Sequence, residues 1–331
     1  VKFNYKNKSK LYLAPLLNQK RMKNIFKILS FVILATIFTA CPSDVNGNAI
    51  TPPEDVAIQY PIDLARIEDF LETHFVNVDA DFNTTFTEIS TDNPGTPVMN
   101  HPDLSFINIT KDEVVYKVYY LNLQQGDVSQ LAPSRVDSVL VTYKGTRFEK
   151  TSTTVNEVTT ESTTQTDFDS SIIPVWFTLD GVIQGWSEII PLFNPGQLSV
   201  NAQTGDLVPT NYGAGVMFLP SALAYYNIST AGIPSYSPLI FNFKLIKQRS
   251  RDNDRDKILS RDEISINVDG TYLDTDGDGI PDYADVDDDG DGVLTKKEIE
   301  ISAGVFYNFN LIPTCGAGGN GKKKHLDPFC Q

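Results

Sequence analysis

Apolar and polar residues alternate along several stretches of the chain, which is the pattern of β-strands that bury one face. The clearest stretches are residues 114–121 and 136–143, both rich in Val, Leu and Tyr. Three shorter apolar runs, at residues 175–179, 216–219 and 239–246, predict further strands. The chain is therefore expected to form a mostly antiparallel sheet.

Helical spacing occurs at two places, where apolar residues recur every three or four positions. The first is residues 62–75, with apolar side chains at Ile62, Leu64, Ile67, Phe70 and Leu71. The second has the same spacing at Trp186, Ile189, Ile190 and Phe193. One central helix against an antiparallel sheet predicts an α+β fold class.

Two polar stretches interrupt these elements. Residues 77–103 hold several Pro and Asn residues and are predicted to be an irregular loop. Residues 151–166 contain ten Ser or Thr residues among sixteen. Because Thr favours strands, this stretch is either a protruding hairpin or a disordered segment, and the composition leaves both open.

The beginning of the chain has the layout of a secretory signal. A basic start at residues 22–27 precedes thirteen almost uninterrupted apolar residues, 28–40, and then Cys41. A bilayer-spanning helix needs about twenty such residues, so this run is too short to cross a membrane. Residues 22–41 resemble the signal peptide of bacterial lipoproteins. That resemblance implies that Cys41 is acylated and that lipid anchors the protein to a membrane of the cell envelope, on its periplasmic or surface face.

The residues on either side of this signal are given separate roles. An ordinary cleaved signal peptide is the alternative to the lipoprotein signal. Residues 1–21 are interpreted as an upstream extension of the natural start at Met22. Residues 42–112 are predicted to form a tether followed by an N-terminal helix and loop.

Charge is concentrated in one part of the chain. The net charge is −15, and residues 252–298 hold sixteen acidic residues against five basic ones. So acidic a segment repels nucleic acid and favours cations. We therefore expect a cation site here and no nucleic-acid partner.

Five short motifs follow one another in the region of the predicted sheet. They are VTYKG at 141–145, FDSS at 168–171, VIQGW at 182–186, FLPSALAYY at 218–226 and AGIPSYSPLIFNFKLI at 231–246. In this order they resemble the FKBP-type peptidyl-prolyl cis-trans isomerases. The resemblance covers residues 113–247 and implies an FKBP-like antiparallel sheet wrapped on one central helix.

The resemblance implies an apolar pocket for proline with Trp186 as its floor. Its walls would be Tyr143, Phe168, Val182, Ile183, Tyr225, Ile233 and Phe241. Asp169 would lie near the Tyr143 hydroxyl, and the Ile183 N–H and Tyr225 hydroxyl would donate to a bound peptide. Val175 stands where the family usually has an aromatic residue at the pocket rim. This chemistry needs no cofactor, because rotation about an X–Pro bond breaks only amide resonance.

The acidic segment, residues 248–303, contains three loops with regularly spaced carboxylates. Residues 252–263 and 287–298 have the spacing of EF-hand calcium loops, and residues 274–285 continue a repeat similar to thrombospondin type 3 repeats. Lys257 occupies the sharp turn where the last loop has Gly292, which is expected to strain the first loop. The predicted structural Ca²⁺ ligands are Asp252, Asp254, Asp256, Ile258, Ser260, Glu263, Asp274, Asp276, Asp278, Asp282, Asp285, Asp287, Asp289, Asp291, Val293, Thr295 and Glu298.

The tail, residues 304–331, contains Cys315 and Cys330. An exported protein can form a disulfide, so these two are predicted to pair, with two free thiols as the alternative.

These observations predict a lipid-anchored, calcium-stabilised isomerase that acts on Pro-containing segments of exported polypeptides. The alternatives are a non-catalytic chaperone or peptide-binding module on the same fold, and a calcium-dependent surface adhesion or scaffold protein. Calcium is expected to hold the acidic segment folded and to leave the isomerase rate little changed.

Overall fold

The computed structural model describes residues 53–155, 158–205, 207–230, 232–267, 271–316 and 318–330. Cys41 and the predicted signal therefore lie outside the described residues. Glu54–Gln331 forms one compact unit. Within the described ranges, no helix is both long enough and apolar enough to cross a membrane.

The elements, in chain order, are as follows. The strands are β1 (His74–Val78), β2 (Thr84–Glu88), β3 (Leu104–Lys111), β4 (Val114–Gln124), β5 (Ser138–Val155), β6 (Val158–Thr178), β7 (Gln197–Val200), β8 (Leu207–Thr210), β9 (Gly213–Leu219), β10 (Leu239–Arg249), β11 (Glu300–Ser302) and β12 (Val305–Phe306). The α-helices are α1 (Val56–Thr73), α2 (Gln184–Ile189), α3 (Ser260–Glu263) and α4 (Thr295–Glu298).

Six of the strands form one antiparallel sheet in the order β3-β4-β9-β10-β5-β6. The two central strands are the most apolar, and every residue of β9 is buried. β5 and β6 extend beyond the sheet and pair with each other as a long hairpin arm. The α+β class and the five predicted strands are confirmed, and the described residues of the Ser/Thr-rich stretch pair with each other as a hairpin.

Helix α2 packs against one face of the sheet. Its Trp186, Ile189 and Ile190 are buried in a cluster with side chains from β5, β9 and β10. Gly185 permits the close approach, because a Cβ there would lie 2.4 Å from Leu219 Cδ1. A 3₁₀ turn, Ile190–Leu192, contains Pro191 and ends the helix. The helix predicted around Trp186 is confirmed.

Helix α1 covers the opposite face of the sheet. Ile67, Phe70 and Leu71 pack with Phe218 and Ile240 in a second core cluster. Asp55 caps the helix, accepting a hydrogen bond from the Ala57 N–H at 2.8 Å. The helix therefore begins before residue 62 and ends at Thr73.

The prediction of an irregular loop at 77–103 is wrong in part. Residues 74–88 form an antiparallel hairpin, β1–β2, which packs beside α1. The hydrophobic pattern does not predict this hairpin, because Asn, Asp and Thr outnumber apolar residues in 74–88. An exposed edge of a small sheet needs few apolar side chains.

The acidic segment follows β10 directly. We call residues 252–263 loop 1, residues 274–285 loop 2 and residues 287–298 loop 3. α3 ends loop 1 and α4 ends loop 3, and each is only one turn long. A small apolar cluster of Ile258, Ile299 and Ile312 holds loops 1 and 3 to the tail. A disulfide joins Cys315 and Cys330, whose Cα atoms lie 5.5 Å apart.

Candidate functional site

Trp186 is the centre of an aromatic cluster at the start of α2. Its ring centroid lies 5.3 Å from those of Tyr143 and Phe241 and 5.7 Å from that of Phe177, each in an edge-to-face arrangement. Phe177 was not predicted as a site residue. It lies two residues after Val175 on β6, so strand alternation places both side chains on one face of the sheet. Val175 is an aliphatic residue where the family usually has an aromatic, and Phe177 supplies an aromatic ring on the same face of the strand.

Phe168 closes the opposite side of the cluster. Its ring meets that of Phe241 edge to face, with centroids 5.5 Å apart. Gly145 makes room for both rings, because a Cβ there would lie 2.5 Å from Phe168 Cζ and 2.9 Å from Phe241 Cε1. The packing of these two rings therefore requires glycine at this position of VTYKG.

Two tyrosines lie within the electrostatic influence of one carboxylate, that of Asp169. The Tyr143 hydroxyl donates to Asp169 Oδ2 at 2.6 Å. Burial, and then this hydrogen bond, raise the pKa of Tyr143 to about 12. Burial and the negative charge of Asp169 also raise the pKa of Tyr225. Both hydroxyls therefore keep their protons at neutral pH and remain donors.

A backbone donor lies beside the aromatic rings. Ile183 is the residue that precedes α2, and Val182, in extended conformation, comes directly before it. The Ile183 N–H has no acceptor among the described residues. Ile183 and Val182 both pack at the edge of the Trp186 cluster, so this N–H is available to a bound carbonyl.

The predicted pocket residues differ in exposure. Trp186, Ile233 and Phe241 are each about 4% exposed or less. Tyr143, Phe168, Val182 and Ile183 are half-buried, and Tyr225 is exposed. A proline ring that approaches this structure therefore meets the half-buried residues first, and it reaches the Trp186 face only after side chains move.

The three acidic loops share one backbone conformation. Their fourth residues, Arg255, Gly277 and Gly290, have φ of 68°, 79° and 66°. Their sixth residues, Lys257, Gly279 and Gly292, have φ of 92°, 99° and 90°. Loop 1 therefore holds two non-glycine residues in the left-handed region, which confirms the strain expected at Lys257.

Each loop gathers three carboxylates whose oxygens lie within 4.8 Å of one another. The three groups are Asp252, Asp254 and Asp256; Asp274, Asp276 and Asp278; and Asp287, Asp289 and Asp291. The N–H groups of Ile258 and Val293 donate to Asp256 and Asp291 at 2.7 Å, which fixes those carboxylates in each loop. Carboxylate oxygens in this number are ligands that suit Ca²⁺.

Other predicted ligands brace the loops instead of facing these groups. The Ser260 and Thr295 hydroxyls accept hydrogen bonds from the N–H groups of Asn253 and Asp288. Both oxygens of Asp282 accept from Thr275, and Asp285 accepts from the Asp287 N–H. Glu298 is buried, and neither of its carboxylate oxygens has a partner among the described residues.

A further carboxylate group lies between loops 1 and 3. Asp256, Glu263 and Asp288 bring oxygens within 4.8 Å of one another, and all three residues are buried. Burial first, and then the negative charges of neighbouring aspartates, raise the pKa of Glu263 to about 10 and that of Asp288 to about 9. Asp288 was not predicted, since it lies outside the alternating ligand positions of its own loop.

The acidic segment touches the loop that opens α2. Arg251 Nη1 lies 2.6 Å and 2.7 Å from the two carboxylate oxygens of Asp180, and Asn253 Nδ2 donates to the same side chain at 3.1 Å. Arg261 lies 3.4 Å from Asp137, whose carboxylate is fully buried. Loop 1 is therefore connected to the backbone that precedes Val182.

Comparisons with known proteins give the following matches. The family model described as BamM C-terminal matches residues 253–322, which include most of loop 1 and all of loops 2 and 3. That family, rather than an EF-hand family, is the one matched by the acidic segment. No curated protein matches the chain.

Two solved structures are similar at low identity. A peptidyl-prolyl cis-trans isomerase from Pseudomonas syringae pv. tomato str. DC3000 is 16% identical, with a TM-score of 0.33, over 60% of this chain and 98% of that one. FkpA from Escherichia coli is 17% identical, with a TM-score of 0.33, over 70% of this chain and 74% of that one.

Proposed function

We propose that the chain is a peptidyl-prolyl cis-trans isomerase of the FKBP type that acts on Pro-containing segments of exported polypeptides. The observation that carries this proposal is the aromatic cluster around Trp186. Three rings meet Trp186 edge to face, and the Tyr143–Asp169 hydrogen bond lies at its rim. Apart from Phe177, these residues come from the ordered motifs that resemble the family.

The reaction requires little beyond such a site. An X–Pro bond rotates against a barrier of roughly 18–20 kcal/mol, because the amide loses its resonance in the twisted state. An apolar surround disfavours the charge-separated resonance form of the planar amide. The free Ile183 N–H and the protonated Tyr225 hydroxyl can bind carbonyl oxygens of the substrate and hold the X–Pro bond over the aromatic rings.

We also propose that Ca²⁺ stabilises the acidic segment. The residues present fit this ion, because the loops offer buried carboxylates and only oxygen ligands. Several of these carboxylates, including both oxygens of Glu263 and Glu298, have no partner within the described part of the chain. A buried carboxylate without a partner is costly, and a bound cation would remove that cost.

Anchoring by lipid at Cys41 is proposed from the sequence alone. The basic start, the short apolar run and the cysteine support it. One acyl chain binds a membrane only marginally, so stable anchoring in the cell envelope requires more than one. Mass spectrometry of the membrane fraction tests this proposal, and an unmodified N-terminus beyond residue 41 would refute it.

The isomerase proposal is tested by refolding a protein whose slow phase is X–Pro isomerisation. Catalytic amounts of the full chain in saturating calcium should shorten that phase, which otherwise lasts tens to hundreds of seconds. Tyr143→Ala should remove most of the acceleration, whereas Trp176→Ala, which changes an exposed ring on β6 outside the Trp186 cluster, should keep it. Equal slow phases with and without the wild-type chain would refute the proposal.

A non-catalytic peptide-binding module is the second candidate, and two observations favour it. Trp186 and Phe241 are already covered by other side chains. On β6, Ile172, Ile173 and Trp176 are 91%, 72% and 45% exposed, which gives a polypeptide an apolar contact outside the cluster. If this candidate is correct, the chain will suppress aggregation of unfolded proteins, and Ile172→Ser with Ile173→Ser will abolish that effect without any change in refolding rate.

A further inference from the structure

Asp288 belongs to loop 3 by its backbone. Its N–H donates to the Thr295 hydroxyl at 3.1 Å, as the N–H of Asn253 donates to Ser260 at the same position of loop 1. Its side chain, however, is grouped with Asp256 and Glu263 of loop 1, and is not part of the group formed by Asp287, Asp289 and Asp291.

The environment of this side chain suits a metal ligand. Asp288 is 1% exposed, and neither carboxylate oxygen has a hydrogen-bond partner among the described residues. The same holds for both oxygens of Glu263 and for Oδ2 of Asp256, which are 7% and 2% exposed as residues. Three buried carboxyl groups without hydrogen-bond partners are costly, and a cation between them would offset that cost.

We propose that Asp288 is a ligand of the Ca²⁺ ion of loop 1, so that loops 1 and 3 build one composite site. Asp256 would be shared by the two carboxylate groups that define the site, which also include Asp252, Asp254, Glu263 and Asp288. Five carboxylates can supply the six to eight oxygen ligands that Ca²⁺ prefers. Mg²⁺ usually takes only one or two carboxylates from a protein, so the number of carboxylates favours Ca²⁺.

In the composite site, the ion of loop 1 also links loop 1 to loop 3, which the residues of loop 1 alone could not do. Loop 1 carries left-handed residues at Arg255 and Lys257, which disfavour its folded form. A ligand from loop 3 ties the two ends of the acidic segment to one ion. Filling of the loop 1 site should therefore order loop 3 as well. This inference rests on the proposed binding of calcium.

The first test is the melting temperature of the full chain carrying Asp288→Asn, in chelator and in calcium. Asn253 stands at the equivalent position of loop 1, so the backbone accepts the substitution. In chelator the variant should melt higher than the wild type, because a buried carboxyl group without a hydrogen-bond partner is replaced by an uncharged amide. In calcium it should melt lower, because a ligand is lost. Asp262→Asn, which changes an exposed carboxylate beside Glu263, should show neither shift.

The second test is a double-mutant cycle on calcium affinity, measured by titration calorimetry. Asp288→Asn should weaken one binding event about tenfold or more, and Asp256→Asn should weaken the same event. Their combination should cost less than the sum of the two, whereas Asp288→Asn with Asp291→Asn of loop 3 should be additive. Coupling to Asp291 instead of Asp256 would overturn the inference.

A crystal structure of the calcium-loaded wild type needs no variant. An Asp288 oxygen within 2.3–2.6 Å of the loop 1 ion is expected. An ion in loop 1 with Asp288 outside its coordination shell would overturn the inference and leave the calcium proposal intact. A wild-type chain that binds no calcium would overturn both. A variant that melts lower by the same amount with and without calcium would assign Asp288 to packing alone.

Discussion

Arg251 and Asp180 form a direct connection between the acidic segment and the candidate proline site. One Arg251 nitrogen lies 2.6 Å and 2.7 Å from the two Asp180 oxygens, and Asp180 precedes Val182 by two residues. Asn253, the second residue of loop 1, binds the same carboxylate. The sequence led us to expect an isomerase rate independent of calcium. These contacts instead predict that loop 1 influences the position of Val182 and Ile183.

We expect chelation of calcium to lower the isomerase rate of the wild type by about fivefold, which corresponds to about 1 kcal/mol. Arg251→Ala should lower the rate in calcium by a similar amount, and chelation should then add little. Arg249→Ala is the matched control, because that side chain lies over the exposed Trp176 ring instead. A wild-type rate that is the same with and without chelator would restore the original expectation.

Loop 1 should gain calcium affinity when its strain is relieved. Lys257 has φ of 92°, and the backbone strain of a non-glycine residue there costs on the order of 1–3 kcal/mol in the folded loop. Glycine avoids this strain but costs about 0.5–1 kcal/mol, because it has more conformational freedom to lose from the unfolded chain. Lys257→Gly should therefore tighten binding several-fold. The reciprocal change, Gly292→Ala in loop 3, should weaken binding, because a non-glycine residue is strained at φ of 90°. A Cβ there would meet no atom within 4 Å, so backbone strain is the only effect of the substitution. Calorimetry that shows the same sign for both changes would contradict this reasoning.

Gly145→Ala should reduce catalysis more than stability. The new Cβ would lie 2.5 Å from Phe168 Cζ, so the half-buried Phe168 ring must move away from Phe241. Overpacking costs roughly 1–3 kcal/mol of unfolding free energy, but the displaced ring lies where a substrate would bind. Gly316→Ala, at a glycine with open space around it, is the control. Urea unfolding and the isomerase rate, measured on the same samples, give the two effects.

Asp63 on α1 predicts a pH dependence of stability. Its carboxylate is fully buried and accepts from the Ser221 N–H at 2.8 Å and from the Ser221 hydroxyl at 2.5 Å. Burial dominates and raises the pKa of Asp63. The folded state therefore binds this proton more tightly than the unfolded state does. The resulting stability is complete below the ordinary pKa of about 3.9 and is lost as pH rises through the folded value.

Asp63→Asn should remove the loss of stability that occurs as pH rises through the pKa of Asp63 in the folded state. The unfolding free energy of the wild type should fall more steeply with rising pH than that of the variant, by at most about 1.4 kcal/mol per pH unit for one group. Urea unfolding at a series of pH values above 4, in constant calcium, measures both slopes. Asp92→Asn, at an exposed position, controls for the loss of one charge. Parallel curves for the wild type and Asp63→Asn would show that burial does not perturb this group.

The sequence predicted what depends on local pattern. The central strands and α2 carry long apolar runs, so alternation and helical spacing identify them. The spacing of acidic residues located the three carboxylate groups, because the ligands of each group lie within one loop of twelve residues. Phe177, Asp288 and the Asp63–Ser221 contact could not be found in this way. Each depends on a partner from a different element, and no local pattern contains that information.

Catalysis itself is most directly tested by two-dimensional NMR exchange spectroscopy on a short X–Pro peptide with the full chain in calcium. One sample reports both binding, through peptide shift changes, and the rate of cis–trans exchange. We predict exchange well above the uncatalysed rate, reduced about tenfold or more by Phe168→Ala and retained in Trp176→Ala. Shift changes that show binding, with exchange no faster than in the free peptide, would contradict the isomerase proposal and establish a peptide-binding module in its place.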